Sequence, residues 1–425
     1  MRIKIESPQV LLSEGDGFAV KQADIYIEED KIVSVGEEVP GFVPDRILPG
    51  EDKLVIPGLI NMHTHNYMTL FRNLADDVSF HEWLFERVMP REDRMTPEDA
   101  YLGATLGIME MLRSGTTCFN DMQMHIHQTT KAAVDAGIRA SIGRGLSGDA
   151  DEESGEMRIR QALEEIEAWK DEPLLSFTMA PHAPYTCTGK YMQKAAAIAK
   201  EKKIPLHIHL SESTFEVENM KKEQGMSPIA YADSLGLLDQ PVIIAHCVKV
   251  DDEDIRLLAK PMVSVVTNPA SNMKLGNGFA PIPKMLEAGV NVCLGTDGAA
   301  SNNALNLFRE MGLLTLIHKG QMGDAESVSA VQTLKMVTEN AAKALGREDS
   351  LGRIAKGYQA DLAILDLNVP QMMPRNNIVS SLTYSANGSE VETVIVRGEI
   401  VMENRKFTRI DEERVRYEVR RREEA

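Results

Sequence analysis

The sequence predicts an α/β chain: a (β/α)8 TIM barrel carrying a small, discontinuous β-sandwich formed by both chain ends. Three observations carry that prediction. Short apolar segments recur between residues 54 and 300, with helical patterns between most of them. Turn-punctuated β texture fills the first 55 residues and returns after residue 351. Histidines and acids fall at the C-terminal ends of the strand segments, where barrels keep their chemistry. A doubly wound parallel sheet is the competing reading of the same alternation.

At the N-terminus, IKIESPQVLLS and ADIYIEEDKIVSVG alternate apolar and polar residues between Gly, Pro and Asp breaks. ADLAILDL (360–367) and VETVIVRGEIVMENRKF (391–407) repeat that texture, the second with a tight Arg397-Gly398 turn. Two similar pieces flanking a different middle read as one composite domain, 1–55 plus 351–410; the simpler alternative makes them unrelated edge elements. The barrel then occupies 56–350, and the mixed-charge tail 411–425 is a solvated C-terminal helix. Candidate barrel strands are 54–65, 116–122, 139–146, 174–182, 205–213, 242–250, 262–269 and 291–300. Helical patterns include 97–115, opened by Thr96-Pro97 and closed at Gly115, then 189–203 and 280–289.

Composition bounds the partners. The chain has 425 residues, 43% hydrophobic and 26% charged, enough for a sizeable core. Its 46 basic against 64 acidic side chains leave −18, which argues against a nucleic-acid backbone or an anionic membrane as partner. The 23 methionines read as adaptable core packing. Cys118, Cys187, Cys247 and Cys293 are widely spaced without a Cys-x-x-Cys pair, so a disulfide framework and a zinc ribbon are excluded and a reducing cytoplasm is expected. MRIKIESPQV lacks the apolar core of a signal peptide, and no apolar run approaches membrane-spanning length.

Seven titratable groups mark one rim. His63 and His65 end strand one, His182 strand four, His209 and Glu212 strand five, His246 strand six and Asp297 strand eight. Alternate residues of a strand share a face, so His63 and His65 are able to grip one metal together. His63, His65, His209 and Asp297 give three imidazoles and one carboxylate, a set for one divalent ion, first of all zinc, with iron and manganese overlapping. One side of that ion is left open, as in catalytic sites. Spacing alone does not exclude His207; His209 is nearer the rim, so His207 is read as core or outer support. His81, His125, His127 and His318 fall in helices or loops; His125 and His127 follow strand two and are placed to line the cleft, but a surface reading is favoured for them.

At this point the motifs match a family. PGLINMHTH (57–65), HIHLSES (207–213), AHC (245–247) and GTDGAASNN (295–303) resemble the amidohydrolase superfamily, and within it the 5-methylthioadenosine/S-adenosylhomocysteine deaminases. The likeness runs over nearly the whole chain and is most specific in TDGAASNNALNLFREM (296–311). It implies a metal-dependent hydrolase barrel that deaminates adenosine-type nucleosides at purine C6. Strand four, LLSFTMAPH, has no lysine to bridge a second metal, which favours a single ion.

The resemblance also implies roles. Glu212 protonates the ring nitrogen beside C6, while His246 and Asp297 orient the attacking water and accept its proton. Glu92 matches the residue that binds the ribose hydroxyls, His182 the one at the purine edge; Trp83 and Ser301 lie close to substrate. Arg144 and Arg158 match positions that hold a homocysteine carboxylate, with Arg160 an equally placed competitor of Arg158. One such arginine can come from a neighbouring subunit, which implies a homo-oligomer. Related barrels act on 5′-deoxyadenosine, guanine, pterins or s-triazines and remain the alternative; a noncatalytic scaffold conflicts with the intact ligand set and proton shuttle.

Overall fold

Eight parallel strand segments close a barrel in the computed structural model, which describes residues 1–423. They are β1 (Leu59–Thr64), β2 (Thr116–Gln123), β3 (Arg139–Leu146), β4 (Leu175–Phe177 continued by Ala180–Pro181), β5 (Leu206–Leu210), β6 (Val242–His246), β7 (Val263–Thr267) and β8 (Asn291–Leu294). β1 to β4 form one arc and β5 to β8 the other. A parallel bridge from Met179 to Leu206 joins the arcs on one side. On the other, Thr296 and Asp297 N–H groups donate to His63 O at 3.1 and 2.9 Å. β5, β6 and β7 are buried at every residue, which is why VIIAH in β6 and VSVVT in β7 run nearly continuously apolar, while in β5, LHIHL, the alternate positions are His207 and His209.

The connecting helices follow their end signals. Over Pro97–Arg113, Thr96 and Asp99 form a reciprocal capping box, Pro97 fills the first turn, and Ala100, Ala104, Ile108 and Met111 face the barrel. Glu412–Glu423 forms a helix, and residues 424–425 of the expected 411–425 helix lie outside the described residues.

The expected strands 205–213, 242–250 and 262–269 are shorter, at Leu206–Leu210, Val242–His246 and Val263–Thr267, and three others are broken or leave the sheet early. Residues 54–65 form two strands, Lys53–Pro57 and Leu59–Thr64, in different sheets. The break falls at Gly58, whose position leaves no room for a Cβ: it would meet Thr117 Oγ1 at 2.1 Å. The 174–182 segment splits at Thr178, and the 291–300 segment leaves the sheet after Leu294, so that Asp297 is carried on a loop.

Strands from both chain ends share one seven-stranded sheet, in the order Lys406–Phe407, Glu399–Glu403, Val391–Val396, Leu362–Asp366, Lys53–Pro57, Gln9–Glu14, Gly17–Gln22. Arg397 and Gly398, both at positive φ, make the tight turn within it. A second, four-stranded sheet is wholly N-terminal, and Ile3, Ile27, Val55, Leu362 and Ile395 pack in the core between the two. Arg139 at the start of β3 pairs with Asp361 at 2.9 Å, both almost fully buried, and this pins the sheet to the barrel floor. The four cysteines are free and buried. Among the described residues no helix is long and apolar enough to cross a membrane.

Candidate metal centre and active-site cavity

The strand ends do not simply stop; they turn through strained backbone. Ser211 (φ 56°), His246 (φ 76°), Cys247 (φ 49°) and Asp297 (φ 60°) all lie in the left-handed region at the ends of β5, β6 and β8. Such positions cost about 1–3 kcal/mol each in non-glycine residues and persist where surrounding contacts enforce them. Here they turn the side chains of Glu212, His246 and Asp297 toward one cavity of about 610 Å³.

At the floor of that cavity four side chains converge. His65 Nδ1 donates to Met122 O at 2.6 Å and His209 Nδ1 to His182 O at 2.9 Å, so each presents a lone pair at Nε2. Those two Nε2 atoms lie 3.3 Å apart, lone pair against lone pair. His63 Nε2 is buried without a hydrogen-bond partner among the described residues. Asp297 Oδ1 stands 3.4 Å from His63 Nε2 and 3.5 Å from His65 Nε2. A cation between them removes the lone-pair repulsion and supplies the missing partner, so this donor set fits a divalent metal ion. His246 also comes within reach: the ligand atoms of His63, His209 and His246 lie within 4.8 Å of one another, as do those of His63, His65 and Asp297.

Electrostatics separate the roles. Burial pushes the Asp297 carboxyl up, but the imidazoles packed against it, His63 first, then His246 and His65, outweigh it and hold the group well below the usual carboxylate range. Burial lowers His63 to about 4 and His182 to about 3, so both rings are neutral near pH 7. Burial pushes Glu212 up, the nearby Asp297 charge adds to that push, and His246 opposes it. For His246, burial lowers the imidazole, yet Glu212, Asp297 and the hydrogen bond to Asn272 leave it raised. Glu212 Oε2 and His246 Nε2 are 3.9 Å apart.

The remaining sequence-predicted residues surround the same space. Glu92 and Trp83 line it from the segment between β1 and β2, with Trp83 Nε1 donating to Ala300 O at 3.1 Å. His182 lines it with Nδ1 2.8 Å from Thr186 Oγ1. Ser301 donates to Asp297 Oδ2 at 2.9 Å. Arg144 and Arg158 line the far end; Arg160 is exposed and lies away from the cavity lining. His207 is buried behind the floor, Nε2 2.9 Å from His63 Nδ1. His127 is exposed against Trp169, but His125, expected at the surface, lines the cavity. The turn after β2 directs it inward beside the Tyr67 ring.

Several functional neighbours carried no sequence signal. Ser271 donates to Asp297 Oδ2 at 2.6 Å, Asn272 Oδ1 meets His246 Nδ1 at 2.8 Å, and Asn277 Nδ2 donates to Glu212 Oε1 at 3.1 Å. All three lie between β7 and β8. Tyr67, fully buried, donates its hydroxyl to Glu92 and accepts from Met124 N at 3.2 Å.

Comparison with known proteins agrees with this geometry. Residues 54–401 match the amidohydrolase family. A 5-methylthioadenosine/S-adenosylhomocysteine deaminase of Caldanaerobacter subterraneus subsp. tengcongensis is 42% identical over 99% of this chain and 98% of its own length. An adenosine deaminase from Xanthomonas campestris with bound zinc superposes with a TM-score of 0.95 at 33% identity, covering 99% of this chain and 98% of that one. Atrazine chlorohydrolase from Arthrobacter aurescens TC1, complexed with zinc, superposes at 0.91 with 25% identity and 99% of both chains covered. The chain belongs to the amidohydrolase family and, within it, to the 5-methylthioadenosine/S-adenosylhomocysteine deaminase group.

Proposed function

We propose that this protein hydrolyses the exocyclic amine at C6 of adenosine-type nucleosides, 5-methylthioadenosine and S-adenosylhomocysteine among them, to the inosyl products and ammonia. The observation that carries the reading is the pairing of a buried, upward-shifted Glu212 with a converging His/Asp set at the floor of one cavity. The full-length similarity to deaminases of that name supports it.

His63, His65, His209 and Asp297 would hold one divalent ion, zinc in first place. Bound there, such an ion supplies Lewis-acid chemistry that brings the pKa of a water towards neutrality. The protein's own groups then do the rest. Asp297, fixed by Ser271 and Ser301, stays ionised and accepts a proton from the attacking water. His246, with Nδ1 held by Asn272, keeps its other nitrogen towards Glu212 and the reacting centre. Burial raises the Glu212 pKa, which favours its acid form, and the group gives its proton to the ring nitrogen beside C6, which draws electrons from the carbon under attack. A C6–O bond forms; the proton taken by Asp297 passes to the amine as the C6–N bond breaks and ammonia leaves, and the proton of the new C6 hydroxyl returns Glu212 to its acid form as the C6 carbonyl forms. Glu92 accepts from the ribose hydroxyls, with Tyr67 fixing its carboxylate, and His182 offers its free Nε2 to the purine edge. Trp83 and Ser301 close the space around the base, while Arg144 and Arg158 receive the 5′ substituent.

We likewise propose the division into a catalytic barrel (56–350) and a composite sandwich (1–55 with 351–410), a homo-oligomer, and a cytoplasmic setting. The shared seven-stranded sheet supports the first and the free, buried cysteines the last. The test of function is ammonia release from adenosine, 5-methylthioadenosine, S-adenosylhomocysteine, 5′-deoxyadenosine, guanine and an s-triazine, compared by kcat/KM. The ribosides are expected to lead; guanine or the triazine as preferred substrate overturns the assignment.

A further inference from the structure

The far end of the cavity holds two arginines in different electrostatic states. Arg144, at the end of β3, is tied to Glu165 by two hydrogen bonds, Nε to Oε2 at 2.9 Å and Nη2 to Oε1. Their side chains are only 12% and 16% exposed, so the pair is poorly screened by solvent. Arg158 instead donates Nη1 to Ser147 O at 2.9 Å, a neutral partner that leaves its charge uncancelled. Glu165 belongs to the helix Glu153–Trp169, one turn beyond Gln161, which lines the cavity; Glu165 itself stands outside the lining, behind Arg144.

We propose that Glu165 is a specificity-determining residue: by neutralising Arg144 it leaves the 5′ end of the site with one unpaired guanidinium, and so admits nucleosides with uncharged tails beside those ending in a carboxylate. This rests on the adenine-nucleoside reading of the cavity, and deepens it. The Nε–Nη2 edge is the fork an arginine commonly offers to a carboxylate, and here Glu165 has taken it. A tail carboxylate therefore meets one free fork, that of Arg158, and a neutral pair beside it. A methylthio tail meets the same pair without stripping water from a second bare cation, a desolvation that two free arginines would impose. Glu165 touches Arg144 rather than substrate, so it acts on selectivity and leaves the chemical step to the floor of the cavity.

The experiment is kcat/KM for S-adenosylhomocysteine and for 5-methylthioadenosine with the wild-type enzyme, Glu165→Gln and Glu165→Asp. Restoring a unit charge to Arg144 at close range is expected to raise the ratio, S-adenosylhomocysteine over 5-methylthioadenosine, roughly tenfold in Glu165→Gln. The change should appear mainly in KM, with kcat for 5-methylthioadenosine kept. Glu165→Asp retains the charge and should keep a ratio close to the wild-type one. An unchanged or lower ratio in Glu165→Gln overturns the proposal, because Glu165 would then serve to aim Arg144 at the carboxylate or be out of reach of the tail. Equal loss on both substrates overturns it too, by making Glu165 a structural support. If the wild-type enzyme turns over neither nucleoside, the reading of the site fails, and this inference falls with it. That result is distinct from every mutant outcome.

Discussion

Replacing Glu212 with Gln isolates the proton-transfer step from everything else in the site. The side chain is 7% exposed, with Oε1 receiving Asn277 at 3.1 Å and Oε2 3.9 Å from His246. The amide is close to isosteric, keeps an oxygen for Asn277, and leaves intact the clustered ligand atoms of His63, His65, His209 and Asp297, to which Glu212 does not belong. Bound metal should therefore be unchanged. What disappears is the acid. General acid–base groups contribute about 10²–10⁴-fold, and at this burial bulk water is poorly placed to substitute, so a loss of roughly 10³ in kcat is expected, about 4 kcal/mol. KM should move little. A second signature lies in pH: Glu212 acts in its protonated form and burial raises its pKa, so the wild-type rate should decline as pH rises through that value. The Gln variant should lack this limb. Steady-state kinetics across pH, with metal analysis of the same preparations, decides the matter. A kcat within tenfold of wild type, or loss of metal with the mutation, would refute the assigned role.

Three further outcomes are expected. His65→Ala or Asp297→Ala should lower bound metal and turnover together, since each removes one of the converging donors; metal content by elemental analysis with full activity in a metal-free variant would count against the site. Ser271→Ala removes a 2.6 Å hydroxyl donor from an ionised carboxylate, a bond worth about 1.5–3 kcal/mol, and because Ser301 shares that oxygen the loss of kcat should be roughly tenfold. Glu310 is pushed by burial to about 7 in the folded protein, above the ordinary carboxyl value of 4.5. Between those values the folded chain binds the extra proton, so this group's contribution to stability is present at low pH and lost as pH rises towards 7, by up to ~1.4 kcal/mol per pH unit. Denaturant midpoints of wild type and Glu310→Gln at pH 5, 6 and 7 should show a shallower decline in the variant.

Much of the fold was legible because barrel strands are covered on both faces. VIIAH and VSVVT must be apolar at every position, and such runs stand out between amphipathic helices. The titratable rim was legible for a related reason: a buried, charged or imidazole side chain at the end of an apolar run is too costly to be incidental. The sequence was silent where side chains are cheap. Ser271, Asn272 and Asn277 cost little in any loop, so nothing in their types separates a ligand-orienting amide from a solvated one. Glu165 falls in QALEEIEAW (161–169), helical texture where acids normally face water, and only the fold reveals Arg144 against it. The break at Gly58 was hidden because two apolar strands in different sheets read as one long run when their junction is a single residue.

Two buried carboxylates extend this logic to the strained strand ends. Glu216 accepts the N–H groups of Ser211 at 2.9 Å and Glu212 at 2.8 Å, gripping the left-handed turn after β5 from the first turn of the following helix. Glu310 accepts Ala270 N at 3.0 Å and Asn302 Nδ2 at 2.9 Å, which ties the short helix Pro269–Lys274, carrying Ser271, to the loop carrying Asp297. Each is buried without a cationic partner among the described hydrogen bonds, and burial raises both to about 7. A carboxylate so placed is a poor way to gain stability, since the same volume filled by an apolar side chain would avoid the desolvation cost. It is, however, one of the few groups able to take two donors in a fixed geometry. The positive-φ turns need such a clamp, because without it the backbone would relax by a few kcal/mol and swing Glu212 or Asp297 away from the metal donors. The stability spent on these two groups is thus best understood as the cost of holding the acid and the carboxylate ligand where the chemistry requires them.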